Sequence, residues 1–366
     1  MLRIYIVIAA LATALCANAH SWLTVVDASD RSPITGATVI DKSGIIVGIT
    51  DNLGKLRITG NIFPISIRCI GYETATIPSD STIVQLVPTN YNLDEFVVTP
   101  HDRPIKRVLS FAREYSSGIS GSDTMQYYCE YMTEAFIVDG KVKGYSKSDA
   151  RPCPKGVKRY ARISKNGVDS IFKPKRGDDI TELSWFDFLA FLPEKIEVPE
   201  SLKNGAESDT VHGKYGPQFI LRKKNGLFTK TADVLSGHKN RKWSPFIFKI
   251  LGMTVDIDAG QWTLTFADRG STTVGLHDFV CGTYHIHLIG KGKWIRKIFN
   301  SKHPIEMNSY IELYPVEITN CSVSEYKELK DDFSPIPFHY PNDLTILSPT
   351  IAKLINRIDS EATIYQ

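Results

Sequence analysis

The chain is poor in cysteine, has almost no excess charge, and lacks a long apolar run beyond its first residues. Six cysteines in 366 residues are too few for a disulfide-dense scaffold, and their spacing fits no zinc knuckle. A formal net charge of +3 gives no global pull toward a polyanion. There is no Gly-x-Ser-x-Gly elbow, no phosphate loop and no dinucleotide fingerprint, so the hydrolases and nucleotide enzymes that announce themselves by such motifs are excluded. After the N-terminus no apolar run approaches the roughly 18–20 residues of a spanning helix. No internal repeat or low-complexity tract is present.

What is there begins with an export signal. Arg3 precedes an apolar stretch from Ile4 to Leu15 that is too short to span a bilayer. Ala17-Asn18-Ala19 then offers the small-x-small pattern a signal peptidase cuts. Residues 1–19 are therefore read as a signal peptide. Leu15 before Cys16 is too large for a lipidation site. The remaining length predicts two or three domains, each with its own core. Five cysteines survive processing: Cys69, Cys129, Cys153, Cys281 and Cys321. Cys69 and Cys129 lie in β-patterned runs and are expected to be buried thiols. One disulfide among Cys129, Cys153, Cys281 and Cys321 suits an oxidising compartment, and the spacing does not choose the pair.

Residues 22–98 read as a small β-sandwich. Trp22 to Asp27 opens it. Pro33 to Gly36 turns into Ala37-Thr38-Val39-Ile40, and Asp41-Lys42-Ser43-Gly44 makes the next turn. Ile45–Thr50 and Lys55–Thr59 flank Asp51-Asn52-Leu53-Gly54, where Asp bonds nearby backbone and Gly accepts φ > 0. Ile65 to Ile70 alternates with period two, and Ser81 to Val87 adds a strand. Gly36-Ala37-Thr38-Val39, Thr50-Asp51-x-x-Gly54, Gly71-Tyr72, Val84-Gln85-Leu86-Val87-Pro88 and Leu93 to Val98 together resemble the carboxypeptidase regulatory-like family, as found at the start of TonB-dependent receptors and other Gram-negative envelope proteins. Leu56 stands where that family usually has an aromatic. The resemblance implies a transthyretin-like sandwich with no catalytic residues of its own. It does not extend to a peptidase: His303-x-x-Glu306 has Pro304 inside it, and His339 is the only later histidine.

Residues 99–123 read as a linker with a short helix, because Ile105, Val108, Leu109 and Ala112 share a helical face. The helix is expected to stop before Gly118, with Ser116–Ser122 as a flexible joint. Residues 124–330 read as a β-rich domain with hairpin turns at Asp139-Gly140, Asn166-Gly167 and Asn225-Gly226. Strands are expected at 126–137, 218–222, 254–257, 262–266, 282–289 and 309–318. A short buried helix is expected in 181–192, and another at Lys230 to Leu235. Glu194 to Tyr215 reads as loop. Residues 331–366 read as a Pro-rich extended segment followed by a helix opened by Ser348-Pro349. The fold class is thus mainly β, or α+β.

No catalytic or cofactor-binding set emerges. His285-Ile286-His287 places two imidazoles on one strand face, and His277 upstream makes a conceivable third metal ligand. A metal site also needs a second shell to orient each ring, and no partner stands at a fixed spacing. Basic residues cluster in 151–176, 222–230, 239–242 and 291–297. An exported chain does not meet nucleic acid, so an envelope protein, a glycan or anionic lipid is the expected partner, with peripheral membrane association. The expected function is a non-enzymatic periplasmic or outer-membrane protein that works by binding or assembly. The alternatives are a peptide- or glycan-directed hydrolase with the sandwich as accessory, or a lipid or lipoprotein carrier. The carrier reading rests on the strand pattern of 124–330, which resembles curved lipid-handling sheets, and predicts a deep apolar cavity.

Overall fold

The computed structural model describes residues 21–60, 62–79, 81–89, 103–138, 140–213, 216–222, 225–250, 252–292, 299, 302–342 and 344–364. The signal-peptide reading, Leu93 to Val98, Asp139 and Lys293 to Lys297 fall outside them. With 50% of residues in strands and 13% in helices, the fold is mainly β. Two compact units divide the chain: residues 1–90 with 345–350, and residues 91–344 with 351–366.

The first unit carries β1 (Ser21–Asp27), β2 (Thr38–Ile40), β3 (Ile46–Ile49), β4 (Lys55–Ile58), β5 (Ile65–Arg68), β6 (Ala75–Ile77) and β7 (Ile83–Leu86). They form a three-stranded sheet β4-β1-β7 and a four-stranded sheet β3-β2-β5-β6. Both contribute to one core, with Leu23, Val25, Ile58, Val84 and Leu86 from the first and Val39, Ile65 and Ile67 from the second. The turn residues act locally. Asp51 Oδ1 accepts from the Leu53 and Lys55 amides. Gly54 has φ +69°, and a Cβ there would stand 2.5 Å from the Val25 carbonyl oxygen, so no other residue fits without displacing β1. Buried Thr50 ties two strands together: its Oγ1 accepts from Ala37 N at 2.9 Å and donates to Ile34 O at 2.6 Å. Tyr72 OH donates to Asp27 Oδ2 at 2.9 Å.

The second unit carries β8 (Ile105–Ser120), β9 (Asp123–Val138), β10 (Cys153–Lys165), β11 (Val168–Phe172), β12 (Ile196–Glu197), β13 (Ser208–Gly213), β14 (Gly216–Arg222), β15 (Leu227–Asp233), β16 (Met253–Ala267), β17 (Thr273–Val274), β18 (Phe279–Gly292) and β19 (Ile305–Cys321). Ten of them make one antiparallel sheet in the order β11-β10-β9-β8-β19-β18-β16-β15-β14-β13. Its helices are short: α1 (Phe186–Leu189), α2 (Glu200–Lys203), α3 (Phe246–Ile250) and α4 (Val323–Leu329); a longer α5 (Pro349–Ile364) starts within residues 345–350 and has the rest of its length in this unit.

Several expectations are corrected here. The helix and flexible joint placed in 105–122 are instead β8, a central strand paired along its whole length with β9 and β19. Its apolar spacing imitates a helix face, yet almost the whole strand is buried, since it lies in the sheet's interior between β9 and β19. Lys230 to Leu235 is not a helix either. Residues 227–233 are β15, clamped between β14 and β16. The strands expected at 254–257 and 262–266 are one strand, β16, irregular between Ile257 and Ala259. The helix expected in 181–192 is a 3-10 turn at Asp179–Leu183 followed by the single turn of α1. Part of the Glu194–Tyr215 loop is ordered as β12, α2 and β13. Asn166-Gly167 does close the β10–β11 hairpin, both residues having positive φ. The β9–β10 connection is longer than a tight turn, since β10 starts only at Cys153.

Register defines the two faces of the sheet, since directly opposed residues point to the same side. One row runs Arg159, Cys129, Glu114, Ile311, Tyr284, Trp262, Ala232. This apolar face is covered by Ile180, Phe186, Ala190, Leu192, Val198 and Leu202, which join its core. Tyr131 stacks on Phe186 at 4.4 Å, and Tyr284 OH donates to Phe191 O. The opposite face is polar and aromatic, with Arg113, Tyr115, Tyr128, Glu130, Glu134, His285 and Glu312. Residues 333–340 strap part of it: Ile336 N donates to Lys155 O at 3.0 Å, Tyr340 OH to Glu130 at 3.0 Å, and the Phe111 and Tyr340 rings lie 5.2 Å apart.

Candidate functional site

Ionisable groups concentrate at the centre of the large sheet and at one end of it. At the centre, Arg113 on β8 and Glu312 on β19 form a fully buried ion pair. Tyr314 OH also donates to Glu312 at 3.2 Å. One residue on, and on the apolar face, Glu114 is wholly buried. Its carboxylate accepts from Ser184 Oγ at 2.6 Å, Trp185 N at 2.7 Å, and Ser116 Oγ and Tyr131 OH at 3.2 Å each. Burial pushes its carboxyl above the usual range, against the lowering effect of those donors. The opposed Cys129 thiol is pushed up to about 12 by the same desolvation, so it carries very little thiolate at neutral pH. This cluster pins the covering segment to the sheet and exposes no reactive atom.

At the sheet end where β8 begins and β19 finishes, a cleft of about 430 Å³ is lined by residues including Arg103, Arg107, Asn320, Cys321, Glu325 and Glu328. Behind it Glu134 is held by Arg107 at 2.6 Å and Lys155 at 3.0 Å. Arg103 bonds Glu325, and this contact is the chief reason that Glu325 is held down to about 2, aided by the Ser322 amide. Helix α4 is placed there by a capping box: Ser322 Oγ accepts from Glu325 N, and Glu325 accepts from Ser322 N. Burial raises the Cys321 thiol. The cleft therefore presents cations and carboxylates already matched to one another. Such a surface suits a polar guest; its thiol is poorly suited to nucleophilic attack.

The histidines singled out from sequence do not converge. His285 is buried, with Nε2 3.1 Å from Asn308 Oδ1, and burial pushes it down to about 4. His287 lies between Asp258 on Nδ1 and Glu306 on Nε2, the latter at 3.2 Å. His277 is exposed in the turn before β18; the six strand steps from Phe279 to His285 span roughly 20 Å. The His303 carbonyl accepts from Ser120 Oγ at the β8–β9 turn, whereas the His339 amide meets Met132. Nine residues of β9 separate those points by roughly 30 Å, so no carboxypeptidase-like ligand set forms. Among the described residues no group of three His, Cys, Asp or Glu side chains is poised to hold a metal. The five described cysteines are free thiols. No pair meets, because Cys129 and Cys153, and Cys281 and Cys321, lie on adjacent strands but five or more residues out of register.

Sequence reasoning missed Glu114, Arg113 and Glu134 because their partners lie far along the chain. It also missed α4, whose Ser322-x-x-Glu325 signature was legible, and α3 with its exposed side chains. No protein-family model matches this chain, and no curated protein matches it. Among solved structures it is similar to lipovitellin, described for its lipid–protein interactions, at 13% identity and a TM-score of 0.29, over 61% of this chain and 26% of that one. It is also similar to a candidate AttH protein from Nitrosomonas europaea at 6% identity and a TM-score of 0.16, over 57% of this chain and 51% of that one. The chain thus spans about a quarter and about half of those two chains. Both likenesses are too slight to bear on function.

Proposed function

We propose that this chain is an exported, non-enzymatic envelope protein. Residues 1–19 serve as its signal peptide. Residues 22–98 act as a carboxypeptidase regulatory-like module of transthyretin-like form, and the ten-stranded unit is the larger body. It works by binding or assembly in the periplasm or at the outer membrane. One observation carries this reading: Glu114, Glu134 and the Arg113–Glu312 pair are engaged internally, while large apolar side chains stand in water. Trp22 and Ile83 are more than half exposed on the outer side of β1 and β7, and Trp243, Phe246 and Ile250 protrude from the second unit. Exposed apolar side chains grouped on a folded surface mark sites of interaction.

The family resemblance and the N-terminal sequence supply the compartment. Cell fractionation with N-terminal sequencing tests it. The expected result is a mature chain beginning at His20 in the periplasmic or membrane fraction. Recovery of the uncut chain in the cytosol overturns the proposal.

A further inference from the structure

We infer that α3 and the tryptophan before it form a docking patch for an anionic phospholipid surface; this rests on the envelope reading above. The sequence from Val234 to Val255 contains Lys239, Arg241, Lys242 and Lys249 and no Asp or Glu. Within it, Phe246 and Ile250 occupy i and i+4 of α3, one face of a helical turn. They are 72% and 65% exposed. Trp243 is 43% exposed, and its ring stacks against His238. The patch is held firmly despite its shortness. Trp243 and Ile257 exchange backbone hydrogen bonds of 2.9 and 2.8 Å, which fastens the segment to β16.

The charges around the patch set its preference. Arg241 bonds Asp233, and Lys242 pairs with Asp256 at 2.9 Å. Ser244 also donates to Asp256. Lys249 is exposed on α3 itself, and Lys291 stands opposite Thr254 at the same end of the sheet. Two carboxylates thus orient two of the cations, and the remaining cations keep the surround positive. An aromatic–aliphatic ridge inside a cationic rim matches a bilayer interface. The apolar side chains enter the acyl boundary, Trp sits at headgroup level, and Lys and Arg reach lipid phosphates. A protein partner of ordinary interface size needs a broader face than three apolar side chains provide.

The test is co-sedimentation of the mature chain with vesicles of phosphatidylcholine alone and with added phosphatidylglycerol. Binding is expected only with phosphatidylglycerol, falling several-fold between low and high salt. The double substitution Phe246→Ser/Ile250→Ser is expected to weaken it at least tenfold with an unchanged thermal transition. Lys242→Gln/Lys249→Gln is expected to weaken it several-fold and to flatten the salt dependence. Equal binding by the wild type and the double serine variant overturns the inference, as does failure to bind phosphatidylglycerol vesicles. Loss of a co-purifying protein in the variant, without vesicle binding by the wild type, assigns the patch to a protein and also overturns it. Fractionation separates the two proposals: an exported chain that ignores vesicles sinks only this inference, whereas a cytosolic chain sinks the envelope reading.

Discussion

Glu114 is the residue whose position asks most of the fold. A carboxylate without a cation partner is costly to bury unless donors surround it, and Ser184, Trp185, Ser116 and Tyr131 supply them. Glu114→Ala takes the acceptor from the Trp185 amide and leaves Ser184 and Tyr131 only each other. The expected loss is about 2–4 kcal/mol in urea unfolding, with faster hydrogen exchange confined first to residues 179–192. His285 gives a pH dependence of definite sign. Its folded value of about 4 lies below the unfolded value of about 6.5, so the unfolded chain binds the extra proton. Its contribution is present above pH about 6.5 and is lost as pH falls toward 4, by about 3 kcal/mol in all. A urea-midpoint profile against pH is expected to show this fall, and His285→Gln to flatten it. The module's motif residues were legible one at a time. Asp51, Gly54 and Thr50 act within a few residues or through one turn, which is the range a sequence pattern covers.

At the scale of elements, the outcome depended on how far away the partner strand lay. The Asn166-Gly167 turn and the opening Ser348-Pro349 of α5 could be read directly, because a turn type or a cap is local chemistry. Strand β8 could not. Ile105, Val108, Leu109 and Ala112 have helical spacing, and Ser116, Ser117 and Ser120 have the composition of a joint. They form a strand because β19, about 200 residues later, supplies Glu312 for Arg113 and Ser309 for Ser116. Local propensity yields when a ladder on each side satisfies every backbone group. Helix α4 illustrates the opposite error, a local signal present and overlooked. Ser322→Ala removes the side-chain half of its capping box. The expected cost is about 1 kcal/mol, measured by thermal unfolding. Ser322→Asp, which keeps an acceptor, is expected to restore most of it.

For the whole molecule, burial decides the thiol chemistry that sequence left open. Cys69, Cys129, Cys281 and Cys321 are buried and Cys153 is exposed, all as free thiols. Titration of the mature native chain with a thiol reagent is expected to show one fast-reacting group, lost in Cys153→Ser, and four that appear only on unfolding. A disulfide recovered from the native chain contradicts this arrangement. The same scale governs the sheet. A ten-stranded antiparallel layer needs cover on its apolar face, and residues 180–202 provide it. The open cavity required of a lipid carrier would have to form where Phe186, Leu192 and Leu202 are packed.

The amino-acid sequence by itself determined the mainly β class, the small N-terminal sandwich with its turns, and the scarcity of reactive motifs. Each follows from periodicity or from chemistry acting over a few residues. The tertiary structure alone decided that β8 is a central strand, that Glu114 and Arg113 are buried on opposite faces, that His277 stands apart from His285, and that Trp243, Phe246 and Ile250 protrude. These depend on which distant strands pair and in which register. A one-residue change of register would exchange the faces while leaving every local pattern intact.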